Sequence, residues 1–222
     1  MDGDKLKTRL TLGLLAGCAL APAANAALIY NTWTSNDSTS ANYILTVNEN
    51  GGLFDVDLTI NPWNAEALGL FVDLGNLDIT NTTLSSISPA GEVSVFDTDT
   101  ASDSCGMGCN LNGLSPSLAS PDGDWEWVFR LGNQGWDSIQ TFSFSFARNG
   151  ATEANWGVVG IRSQQLCGPG DTLPGDIEDC EGSDKSYGSS TPTTQVPEPA
   201  SLALFAGGLL ALGFARRRRV SA

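Results

Sequence analysis

The sequence predicts an all-β protein whose central part folds as an antiparallel β-sandwich. Short segments rich in Val, Ile, Thr, Phe and Trp are set off by Gly, Pro, Asn and Asp, as in all-β chains. Within several of them apolar residues alternate with polar ones. Phe54, Val56, Leu58 and Ile60 stand against Asp55, Asp57 and Thr59, and Phe142, Phe144 and Phe146 against Ser143 and Ser145. That period of two gives a strand one packed face and one wet face. No stretch between Ala27 and Gln195 has helical periodicity long enough to stand alone.

In order, the expected strands are Leu28–Trp33, Tyr43–Asn48, Leu53–Ile60, Leu68–Leu74, Thr83–Ile87, Glu92–Asp97, Trp125–Leu131, Ile139–Ala147 and Trp156–Ser163. Asn50-Gly51-Gly52 joins the second and third as a hairpin turn, because these residues tolerate positive φ. So many short strands without an internal repeat fit one jelly-roll or immunoglobulin-like sandwich. Gly182 to Gln195, rich in Gly, Ser and Thr, is expected to be a disordered spacer.

Both ends carry addresses. Residues 1–26 begin with Lys5, Lys7 and Arg9, continue with an apolar run to about Ala21, and end at Pro22 with small residues Ala24 and Ala26. This is the layout of a secretory signal peptide, with a signal helix and cleavage before Ala27. Leu15-Ala16-Gly17-Cys18 resembles a lipoprotein lipobox, which would lipidate Cys18. The apolar run continues past it to the Ala24-x-Ala26 site, which favours ordinary cleavage. At the other end, Val196-Pro197-Glu198-Pro199 precedes an apolar stretch from Ala200 to Ala215 and then Arg216, Arg217, Arg218 and Arg219. The stretch is expected to be a transmembrane helix with its arginines in the cytoplasm. The organisation is thus 1–26 signal, 27–181 exported domain, 182–195 linker and 196–222 tail.

Pro-Glu-Pro, an apolar helix and a terminal arginine cluster together resemble the PEP-CTERM sorting signal. The resemblance is confined to Val196 to about Val220. It implies recognition of Pro197, Glu198 and Pro199 by an exosortase, a membrane cysteine transpeptidase, and sorting to the surface or extracellular matrix of Gram-negative bacteria that make exopolysaccharide. The chain would pass once through the inner membrane before processing.

Composition narrows the chemistry. There is no histidine, and 25 acidic residues face 11 basic ones, a formal net charge of −14. Catalysis that needs imidazole and zinc sites that depend on it are excluded within the chain. Nucleic acid, which binds through Lys and Arg, is not an expected partner. Between Ala27 and Gln195 only Arg130, Arg148, Arg162 and Lys185 oppose 22 acids, giving −18. Cys105, Cys109, Cys167 and Cys180 remain after Cys18 leaves. An even count in an exported chain suggests two disulfides, with local pairing preferred over crosslinks between the two segments.

Two segments are candidate sites. Asp97, Asp99 and Asp103 follow a strand and offer hard oxygen ligands for Ca²⁺, although the EF-hand Gly and Glu positions hold Ser102 and Gly108. A solvated acidic loop is the plainer explanation. Trp125 and Trp127 are candidates for stacking on polysaccharide, yet alternation puts them on one face with Phe129 and Leu131, where core packing is the ordinary role. No catalytic constellation is identifiable. The leading expectation is a non-enzymatic surface or matrix protein associated with exopolysaccharide or biofilm. The alternatives are a polysaccharide-binding module, with or without Ca²⁺, and an otherwise unsupported secreted glycoside hydrolase.

Overall fold

The structure, a computed structural model, describes residues 27–36, 40–114 and 123–188. These residues form strands β1 (Leu28–Tyr30), β2 (Thr34–Ser35), β3 (Tyr43–Asn50), β4 (Leu53–Ile60), β5 (Glu66–Val72), β6 (Leu84–Ser88), β7 (Val93–Asp97), β8 (Trp127–Leu131), β9 (Thr141–Ala147), β10 (Val159–Leu166) and β11 (Gly182–Gly188). One sheet has the order β1-β3-β4-β9-β6 and the other β2-β11-β10-β5-β8-β7. All pairings are antiparallel.

The two sheets share one core. Leu45, Val47, Phe54, Val56, Leu58, Phe142, Phe144 and Phe146 come from the first sheet, and Leu70, Val72, Trp127, Phe129, Leu131, Val159 and Ile161 from the second. Alternation therefore reads correctly through β4 and β9. Gly51, with φ of 61°, makes the β3–β4 turn, and the register runs unbroken from Tyr43 opposite Ile60 to Asn50 opposite Leu53.

The outer faces differ. On the first sheet they carry mostly polar rows, with Asn48, Asp55 and Ser145 in register, then Thr46, Asp57 and Ser143, then Thr59 and Thr141 beside the exposed Ile44. Ser145 Oγ donates to Asp55 Oδ1 at 2.6 Å, Ser143 Oγ to Asp57 Oδ1 at 2.5 Å, and the Thr59 and Thr141 hydroxyls lie 3.0 Å apart. On the second sheet every residue of β5 is buried. Cys105, Cys109, Leu111 and Trp125, all from the β7–β8 connection, pack against Leu68, Phe71 and Val128. Two glycines make room for them. A Cβ on Gly69 would collide with Sγ of Cys105 and Cys109, and one on Gly160 with Cδ1 of Leu111.

Three expectations change at this point. The spacer does not begin at 182, because Gly182–Gly188 is β11, paired along β10 from Gly188 opposite Val159 to Gly182 opposite Leu166. Its inward residues, Asp184 and Ser186, are fully buried but polar. Asp184 accepts from Ser35 Oγ at 2.5 Å, Ser186 Oγ at 2.7 Å, Tyr43 Oη at 3.1 Å and the Ala41 amide at 3.2 Å. Satisfied hydrogen bonds thus replace the apolar side chains that a buried strand ordinarily shows. Secondly, β2 (Thr34–Ser35), pairing with β11, was not expected. Thirdly, Trp125 does not share a face with Trp127. The chain bends at Glu126, so Trp125 joins the outer cluster and Trp127 the inner core.

Among the described residues no helix is long and apolar enough to cross a membrane. The expected signal helix within 1–26 and the span from Ala200 to Ala215 lie outside them, as does the linker beyond 188.

Candidate functional site

The start of β3, the end of β4 and the start of β9 meet at one pole of the sandwich, since Tyr43 faces Ile60 and Thr59 faces Thr141. The polar and aromatic residues of the connecting segments gather there. Of the six tryptophans, Trp125, Trp127 and Trp156 are buried, whereas Trp33, Trp63 and Trp136 are half-buried. Trp63 and Trp136 stack with centroids 5.4 Å apart and planes at 25°, and both pack on Cys167, Cys180 and Leu173.

Trp33 lines a cleft of about 450 Å³ together with Asn31, Thr32, Asn42, Ile44 and Asn61. Its indole N–H donates to the Tyr43 carbonyl at 2.9 Å. Tyr43 meets it edge-on, with centroids 5.3 Å apart at 71°. On another side Gly188 ends β11 against the ring, where a Cβ would stand 3.1 Å away. The ring is therefore fixed by its surroundings.

The same pole holds a carboxyl pair. Glu66, 1 % exposed, accepts from the Asp137 amide at 3.2 Å and the Ser138 amide at 2.8 Å. Asp137 in turn accepts from the Asn133 and Ile139 amides, both at 3.0 Å. Burial, and next the Asp137 charge, push the Glu66 carboxyl up to about 7, against the opposing pull of the Ser138 amide. These carboxylates tie the β8–β9 connection, with Trp136, to the second sheet.

The residues singled out by sequence fall as follows. Trp125 is 1 % and Trp127 0 % exposed, so neither has a face for a sugar. Both are core residues, on opposite sides of the second sheet. Asp97, Asp99 and Asp103 are not gathered together: among the described residues no group of three or more His, Cys, Asp or Glu side chains could hold a metal ion. Asp97 Oδ1 instead accepts from the Thr98 amide at 2.9 Å, and Asp103 Oδ1 accepts the Trp125 indole N–H at 3.0 Å. Cys105 bonds to Cys109 and Cys167 to Cys180. Trp33, Trp63 and Trp136 lie outside the segments that the sequence marks as candidate sites, though the setting of the last two offers a signal. Pro62-Trp63-Asn64 and Gly135-Trp136-Asp137 place tryptophan among turn formers rather than within an alternating run.

Ala24, Ala26, Cys18, Pro197, Glu198, Pro199 and Arg216 to Arg219 lie outside the described residues, so comparison with known proteins bears on the tail. Residues 195–219 match the PEP-CTERM protein-sorting motif. The chain carries a PEP-CTERM sorting signal. The PEP-CTERM motif marks an exported chain sorted by an exosortase-type transpeptidase. The match covers the tail alone. No match was found among curated proteins or solved structures.

Proposed function

We propose that this is a non-enzymatic surface or extracellular-matrix protein, anchored once in the inner membrane before processing and associated with exopolysaccharide afterwards. The observation that carries the reading is the PEP-CTERM motif at 195–219. Two disulfides suit an oxidising exterior. The carboxyl pair that a hydrolase would offer, Glu66 and Asp137, holds backbone amides of the β8–β9 connection, which supports a structural role. Removing Pro197 to Pro199 should shift the protein from the surface and matrix fractions to the inner membrane. An unchanged distribution overturns the sorting claim.

A second reading, a polysaccharide-binding module, is favoured by one observation: Trp33 is half-buried and lines an open cleft. Trp125 and Trp127 have no part in it.

A further inference from the structure

We infer that the cleft at Trp33 is a binding site for a short segment of a neutral polysaccharide, an inference that rests on the matrix association proposed above and assigns it to a place on the fold.

Electrostatics favours an uncharged ligand. The exported stretch carries −18, yet among the described residues every one that lines this cleft is uncharged. That described lining is neutral on an otherwise acidic protein. Uronate-rich polymers would approach against the field of the whole domain, and a cationic ligand would find no carboxylate among the described lining residues. An uncharged chain meets neither obstacle.

The lining also suits the chemistry of a sugar. A pyranose has an apolar C–H face and a rim of hydroxyls that both donate and accept. Trp33 and Ile44 supply apolar surface, while Asn31, Asn42 and Asn61 supply side-chain amides and Thr32 a hydroxyl. An amide matches a hydroxyl rim well because it offers two donors and an acceptor at once. Asn61 is exposed, so its amide faces solvent until a ligand arrives. Asn42 already donates Nδ2–H to the Pro62 carbonyl at 3.1 Å, which fixes how that amide is turned.

The site is preorganised as well. Trp33 is held by its bond to the Tyr43 carbonyl, by the edge of the Tyr43 ring and by Gly188. A ring already fixed loses little rotamer freedom on binding. The cleft, at about 450 Å³, lies within the usual range for small-molecule sites, enough for a short segment but not for a long helical run of polymer.

The test titrates the full chain, in detergent, with hexasaccharides of the gluco-, xylo- and manno- series and with oligogalacturonate of equal length, following tryptophan fluorescence and heat. At least one neutral series should bind, with W33A and N61A each weakening it tenfold or more while N61A keeps the wild-type melting temperature. If W33A fails to melt cooperatively, N61A and W33F carry the comparison, with W33F expected to bind more weakly. The inference is overturned if no neutral series binds at millimolar concentration, if oligogalacturonate binds as tightly, or if the folded variants bind like wild type. Fractionation separates this failure from that of the wider reading: a W33A or N61A protein that stays with the matrix polymer leaves the association standing and removes the site.

Discussion

The two sheets pack on the same core, yet their outer faces are built on opposite principles. On the first sheet, polar rows that mostly meet water hydrogen-bond between β4 and β9 through Asp, Ser and Thr side chains. On the second, the β7–β8 connection lies over β5 and β8, with a disulfide and two aliphatic or aromatic anchors beneath it. The first face needs only alternation, which the chain writes openly. The second needs a local arrangement: Gly69 and Gly160 to admit the cover, Trp125 turned outward, and Arg130 donating to the Met107 carbonyl at 3.0 Å to hold the loop tip. What looks like one kind of strand from the core side has two kinds of reverse side.

The contrast predicts graded sensitivity. Truncating Trp125 to Ala should cost about 3–5 kcal/mol in chemical denaturation, because a fully packed ring and its bond to Asp103 are both lost. A loss under 1 kcal/mol would mean the cover is not seated. Gly69→Ala should cost about 1–3 kcal/mol, through overpacking against the Cys105–Cys109 bridge. On the open face, Ser143→Ala should fall within about 0.5 kcal/mol of wild type, since its bond to Asp57 is solvent-accessible. Equal penalties at Gly69 and Ser143 would erase the distinction between the faces.

Acidity sharpens the same comparison. Glu66 is buried against the covered sheet, and its folded state binds a proton more tightly than the unfolded chain, at about 7 against the ordinary 4.5. Its contribution to stability is therefore full below pH 4.5, is lost as pH rises towards 7, and stays lost above. Melting temperature should fall between pH 5 and pH 8, and Glu66→Gln should flatten that slope and melt higher than wild type at pH 8. A variant with the wild-type slope would show that the carboxyl is not the source.

Legibility followed the physics of each element. Strands β4 and β9 were readable because their inward residues are apolar, and β4 is found at the bounds expected from its alternation, Leu53–Ile60. Strand β11 was hidden because its inward side chains are Asp184 and Ser186, whose burial depends on partners from β2, β3 and the segment between them. No local pattern announces partners that far away in sequence. Trp125 was misassigned because a bend at Glu126 changes which face its side chain takes, and a single bend leaves no trace in alternation. The candidate cleft was illegible for a related reason: Asn31 with Trp33, Asn42, and Asn61 come from three segments and meet only because β3 starts and β4 ends at the same pole. The sorting signal needed no fold to be read, since its Pro-Glu-Pro, apolar and arginine parts are contiguous.

The most direct test of the account is the intact mass of the protein recovered from outside the cell, with terminal peptides sequenced. The recovered chain should begin at Ala27 and lack the apolar stretch and Arg216 to Arg219, with cleavage close to Pro197–Pro199. A surface protein that still ends in the arginine cluster, or one found only in the cytoplasm with residues 1–26 intact, contradicts it.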